Sequence, residues 1–154
     1  MPDIFENKRK LLYRKAQNNV KLPQLHLKLK RLLVDEEVYL FLSLSETDGL
    51  INYLSKNNVK FHERCCFSNL KDAWGYINKK VYGSNCYLYV DTDWKYCGAV
   101  ALEKGFVLSD GFDFDEVICD ELRFFSREAK RITTVDYSHS KNDDTYTCTF
   151  TEYQ

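Results

Sequence analysis

The sequence predicts an α+β domain with a mainly antiparallel sheet and about three helices. Three observations carry this. Before residue 83, apolar residues recur at helical spacing in three separate segments. After residue 83 the period changes to strand alternation, with short turns between the runs. The last two β-branched and aromatic runs are parted only by "KNDD", which marks a long hairpin. A chain of 154 residues reads as one domain, 1–154, with residues 1–20 a basic N-terminal helix. The expected order is α-β-β-α-β-α, then a β-meander and the C-terminal hairpin.

Residues 3–18, "DIFENKRKLLYRKAQN", read as the first helix. Asp3 and Glu6 stand at capping-box spacing, and Ile4, Phe5, Leu11, Leu12 and Ala16 give an apolar face. "NNVKLP" ends it. In "LPQLHLKLKRLL", Leu25, Leu27 and Leu29 alternate with Gln24, His26, Lys28 and Lys30. That is a half-buried strand, apolar on one side and basic on the other. "VDEE" reads as a turn, and the apolar run "VYLFLSL" (38–44) as a central strand covered on both faces. "SETDGLINYLSKNN" is a helix with a Ser45–Asp48 capping box and apolar Leu50, Ile51 and Leu54. "VKFHERCCF" (59–67) is a strand with Val59, Phe61, Glu63, Cys65 and Phe67 on one face. "SNLKDAWGYINKKVYG" is a helix capped by Ser68 and stopped by Gly83, with Leu70, Ala73, Trp74, Ile77 and Val81 at helical spacing. These helices are expected to cover one face of the sheet.

Segments 85–92, 96–103 and 106–109 predict a meander, turning at Asp93-Trp94-Lys95 and at Lys104-Gly105. Segments 127–140 and 144–153 form the hairpin. Between them, "FDFD" alternates so that Phe112 and Phe114 point inward while Asp113 and Asp115 point outward. The phase slips at Glu116. Ile118, Leu122 and Phe125 fit helical spacing, so residues 112–125 are either a strand with a bulge or a strand followed by a helix.

The composition, 44% hydrophobic and 29% charged, is that of a globular domain. Six cysteines stand at 65, 66, 86, 97, 119 and 148. "MPDIFENKRKLLYRK" lacks the apolar core of a signal peptide, and there is no run of about 18 apolar residues. A cytoplasmic protein without membrane contact is expected, with its cysteines mostly small reduced core residues rather than disulfides.

The net charge of −1 hides an asymmetry. Nine basic residues and no acid lie between Lys8 and Arg31, whereas "DGFDFDEVICDE" (110–121) carries six carboxylates and no cation. Such a split points to partners rather than to a fold. The plain alternative is that the two regions are neighbours that neutralise each other, or solvated faces. The sharper expectation is a non-enzymatic binding protein that covers a basic functional surface of a partner protein. Asp110, Asp113, Asp115, Glu116, Asp120 and Glu121 would meet that partner, with Tyr87, Tyr89, Tyr96 and Tyr137 as aromatic anchors. The most concrete versions are an immunity protein neutralising a nuclease toxin, as in a toxin–antitoxin pair, and a phage-type inhibitor of a host defence protein.

Two other classes remain. Lys8, Arg9, Lys10, Arg14 and Lys15 suit phosphate contacts of a nucleic-acid-binding accessory protein. Asp113 followed by Glu128-Ala129-Lys130 resembles the Asp…Glu-x-Lys pattern of restriction-type nucleases. That resemblance implies two carboxylates for a divalent metal and a lysine for developing charge. A zinc site from His62, Cys65, Cys66, Cys86 and Cys97 lacks paired Cys-x2–4-Cys knuckles, and Cys65 and Cys66 point to opposite strand faces. No Gly-x-Ser-x-Gly, Walker loop or His-Glu-x-x-His is present. The expectation is therefore no cofactor, no metal and no catalytic residue.

Overall fold

The computed structural model describes residues 4–35, 39–81 and 84–154, with side chains from residue 8 onward. The proposed Asp3–Glu6 cap, Glu36 and Glu37 of "VDEE" and the Gly83 stop lie outside those residues or side chains. The elements are α1 (Ile4–Leu32), β1 (Tyr39–Phe41), α2 (Leu44–Ser55), β2 (Val59–Phe67), α3 (Leu70–Val81), β3 (Cys86–Val90), α4 (Trp94–Cys97), β4 (Val100–Leu102), β5 (Glu121–Ser126), β6 (Arg131–Ser140) and β7 (Asp143–Tyr153). The seven strands form one sheet in the order β1-β4-β3-β5-β6-β7-β2. Every named pair is antiparallel. The α+β class is as the sequence predicts.

The largest departure is residues 24–31, which are helix and not strand. α1 runs through Pro23 to Leu32. Leu25, Leu29 and Leu32 are at most 1% exposed, whereas Leu27 is 47% exposed. The buried set follows the helical period, not alternation. A proline inside a helix costs about 3 kcal/mol. Here it is offset by burial of three leucines, each worth roughly 2 kcal/mol, and by Lys28, which reaches Asp93 at 2.7 Å within the core.

β1 is three residues long and pairs only with β4, so it is an edge strand and not a central one. Leu40, on the face opposite Tyr39 and Phe41, is exposed. α2 begins two residues earlier than expected. Its capping box is Ser43 with Glu46. Asp48 instead makes a two-pronged contact with Arg14 of α1 at 2.7 and 3.0 Å. α3 is capped by Asn69, whose side chain accepts from the Asp72 N–H at 2.9 Å, and not by Ser68. Tyr96 and Cys97 belong to α4, not to a strand. Segment 106–109 makes one isolated bridge, Leu33 to Leu108, outside the sheet. Its Phe106 and Leu108 are buried, so it packs as a covering loop.

The sheet is covered on both faces along β3. Cys86, Leu88 and Val90 join a core with Leu25, Leu29, Trp74 and Ile77 of α1 and α3. Tyr89 faces the other way, into a smaller core with Leu50, Ile51 and Leu54 of α2. The helices are thus divided between the faces, because β3 is apolar on both. The hairpin turns at Lys141 (φ 51°) and Asn142 (φ 70°), the two left-handed positions of a type I′ turn. That turn pairs Ser140 with Asp143, Tyr137 with Tyr146 and His139 with Asp144.

Candidate functional site

The acidic segment is neither strand nor helix up to Asp120. It is a chain of turns held by its own backbone and by two rings. Ser109 O accepts from Trp74 Nε1 at 2.9 Å. Asp113 Oδ1 accepts from the N–H of Asp115 at 3.0 Å and of Glu116 at 3.3 Å. This is the local side-chain capping that aspartate offers a turn. Phe112 and Phe114 are buried against Trp74 at ring distances of 6.3 and 6.1 Å. The alternation predicted for "FDFD" therefore holds, with Asp113 and Asp115 exposed. Sunk rings fix the loop and present the acids.

The C-terminal hairpin meets this loop. The Tyr137 ring stacks on Phe114 at 5.1 Å and leans on Tyr146 at 5.4 Å. Tyr137 Oη lies 2.6 Å from Asp115 Oδ2 and 2.9 Å from Asp144 Oδ1. His139 Nδ1 lies 2.7 Å from Asp144 Oδ1. The phenol has one proton to donate, so it serves one carboxylate at a time, and a proton on His139 Nδ1 serves Asp144. The hydrogen bond to Asp115, then burial and the bond to Asp144, hold the Tyr137 phenol above its ordinary range. The bond to Asp144 raises His139, and the bonds from His139 and then Tyr137 lower Asp144.

Together these groups surround a concavity of about 360 Å³ lined by Asp110, Asp113, Asp115, Asp144, Tyr137 and Tyr146. Among the described residues, no lysine or arginine is within 4.0 Å of any of these four carboxylates. No cysteine, serine, threonine or lysine lines the concavity. The hollow presents hydrogen-bonded, negatively charged carboxylates over an aromatic floor.

The sequence-predicted residues divide. Asp110, Asp113 and Asp115 are brought together. Glu116 stands beside them but pairs with Arg31 at 3.4 Å, one point where the acidic and basic segments do neutralise each other. Asp120 has an exposed side chain, and its carbonyl accepts from the Tyr137 N–H at 2.8 Å. Glu121 is separated from the tract. It belongs to β5, where it contacts Arg123 and faces Asp136 across the strands, on the face opposite buried Leu122.

The tyrosine anchors need a larger correction. Tyr89 is fully buried, stacks on Phe125 at 4.3 Å and donates to Thr47 O at 2.6 Å. It is a core residue. Tyr87 lies under the Arg127 guanidinium at 4.5 Å, on the α2 side of the sheet. Strand alternation sends both away from the acidic loop. Tyr96 lies beside α1, where Asn18 donates to its carbonyl. Only Tyr137 joins the acids. Tyr146, Asp144 and His139 escaped the sequence reading, although a two-residue turn in "KNDD" already implies that 137 faces 146 and 139 faces 144.

Of the basic residues, Lys8, Arg9 and Lys15 are exposed on α1. Lys10 and Arg14 line a second groove, about 370 Å³, with Tyr13, Asp48, Trp94, Lys95 and Tyr96, and Asp48 pairs with Arg14 there. The nuclease trio is not assembled. Glu128 and Lys130 lie on the β5–β6 turn, and Arg131, which pairs with Glu128, is six strand residues from Tyr137, about 20 Å. Among the described residues, no three His, Cys, Asp or Glu side chains are placed to share a metal ion. Of the candidate zinc ligands, His62 bonds Thr151 at 2.9 Å and Cys86 and Cys97 are buried core thiols, as are Cys119 and Cys148 outside that set. Among the described residues, no helix is long and apolar enough to cross a membrane. No protein family, curated protein or solved structure matches the chain.

Proposed function

We propose that the protein is a non-enzymatic binding protein that receives a basic segment of a partner protein in the Asp110–Asp115 concavity. The observation that carries this is the convergence of four carboxylates from two distant parts of the chain on one tyrosine-lined hollow, where, among the described residues, His139 on Asp144 is the one cationic partner within 4.0 Å. Clustered like charges destabilise a fold by a few tenths of a kcal/mol per close pair. A lysine or arginine side chain entering the hollow would relieve that repulsion. It would also gain charge-assisted hydrogen bonds and aromatic contact. Such complementarity governs association rate and specificity. An inhibitor of a nuclease, acting as an immunity protein or against a host defence protein, is the concrete form of this reading. The test is recovery of partners from nuclease-treated native cells by the wild type and by Asp110→Asn/Asp113→Asn/Asp115→Asn. A basic protein held at near-equal stoichiometry by the wild type alone supports the reading. Equal recovery by both, or none, sinks it.

A second reading has its own observation. The groove of Lys10, Tyr13, Arg14, Trp94, Lys95 and Tyr96, with Asp48 paired to Arg14, sets cations beside one exposed and two half-buried rings, the arrangement that single-stranded nucleic acid uses for phosphate contact and base stacking. Fluorescence binding of an oligonucleotide checks this. Salt-sensitive binding lost on Lys10→Gln and Tyr13→Ala would favour it over the protein-partner reading.

A further inference from the structure

The end of the sheet opposite the acidic hollow holds a cavity of about 350 Å³ with the reverse chemistry. It lies where β5 ends and β6 begins, over the last turn of α3. Lys80, Lys104, Arg127 and Arg131 line it, against one carboxylate, Glu128. Glu128 is held by Arg131 at 3.7 Å and Lys80 by Glu63 at 3.4 Å. Among the described residues, Lys104 and Arg127 have no carboxylate within 4.0 Å.

Two further features point to a ligand. Ser126 Oγ, on the cavity wall, accepts from the N–H of Lys130 at 3.2 Å and of Arg131 at 3.1 Å. Both oxygen lone pairs are thereby engaged, and the hydroxyl proton is left to donate. Arg127 lines the cavity and is anchored by donation to Leu102 O at 3.1 Å and by stacking on Tyr87, and its buried Nε has no hydrogen-bond partner among the described residues, although that atom is closed to solvent and is not itself a ligand contact. A buried N–H of a charged group without an acceptor is costly. The cavity floor is apolar, with Phe124, Val81 and Cys86. Burial pushes the Cys86 thiol up to about 12, so it adds no negative charge there.

We infer that this cavity is a binding site for a phosphate group, taken either as the free anion or as a small organic phosphate monoester. A dianionic oxyanion matches the surplus of cations, accepts the Ser126 proton and is bound by arginine in a forked geometry. The volume admits the phosphate and a small attached group over the Phe124 floor. This site does not depend on the acidic hollow, and either can fail without the other.

The experiment is titration calorimetry of the full chain at low ionic strength, with inorganic phosphate and, separately, with a nucleoside monophosphate as probes. Lys104→Gln and Arg131→Gln are the test variants, because their cations are exposed or half-exposed and their loss leaves the core intact. Lys15→Gln, an exposed cation on α1 that does not line the cavity, is the control. Circular dichroism confirms folding of each variant. Saturable binding that weakens about tenfold in each test variant and is unchanged in Lys15→Gln is expected. Tighter binding of the monophosphate assigns an organic ester, and equal binding assigns the free anion. No saturable binding of either probe, or an equal loss in Lys15→Gln, overturns the inference.

Discussion

Tyr137 Oη sits 2.6 Å from Asp115 Oδ2, so one phenol ties the acidic loop to the C-terminal hairpin. The two residues are 22 positions apart in the chain. The bond holds a carboxylate outward while the ring beneath it packs on Phe114.

Tyr137→Phe keeps the ring and removes the bond. Stability should fall by about 1 kcal/mol, the usual net worth of such a hydrogen bond. Amide exchange should quicken across 113–119 and not in β5. Urea denaturation with hydrogen-exchange mass spectrometry reads both. Unchanged exchange in the loop would mean that the phenylalanine rings alone hold it.

Lys28 is 5% exposed and Asp93 2%, 2.7 Å apart, with Asp91 at 3.7 Å. Burial pulls the Lys28 ammonium down, but the hydrogen bond and charge of Asp93 outweigh it and leave the group raised. Lys28→Met strands two aspartates and should cost about 3 kcal/mol. Lys28→Met/Asp93→Asn should recover part of that loss. Urea midpoints compare the two. Equal losses would show that the buried charge is not what the single variant exposes.

Asp136 faces Glu121 across β5 and β6. Partial desolvation, and next the Glu121 carboxylate, push Asp136 up to about 6. Its ordinary value is about 3.9. The folded chain therefore holds this proton more tightly than the unfolded chain does. The contribution is full below about pH 4 and is lost as pH rises through 6. Asp136 is exposed, and screening reduces the effect to about 1 kcal/mol. Asp136→Asn should flatten the fall in stability between pH 4 and 7, measured by denaturation at each pH. An unaltered slope would locate that proton elsewhere.

Thiol labelling tests the packing. Cys66 is exposed and Cys65 half-buried, while Cys86, Cys97, Cys119 and Cys148 are buried. A thiol reagent should modify Cys66 first in the native protein and all six only in denaturant. Fast native labelling of Cys119 would mean that the acidic loop opens readily, because Cys119, within that loop, is 1% exposed.

Elements whose signals are local and agree with one another are legible in the chain alone. α3 shows a single apolar stripe. β2 keeps one phase from Phe61 to Phe67, and a bulge between Val59 and Phe61 takes Val59 out of the predicted face. The hairpin register follows from a two-residue turn, and Phe112 and Phe114 alternate with aspartates whether the backbone is strand or turn. Tertiary structure decided what local signals left ambiguous. Leu25 and Leu29 are four apart, a spacing shared by one helix face and one strand face. The tie was broken by the core that receives Leu32 and by Asp93, which gives buried Lys28 a counter-charge. The short run at Tyr39–Phe41 looks alike at a sheet centre or edge, because its position depends on which strands pair beyond it. The acidic hollow was visible only as its separate halves. The contact of Asp115 with Tyr137 and of Tyr137 with Asp144 exists because Phe114 fills the space beneath the hairpin, and long-range packing of that kind leaves no periodicity in the chain.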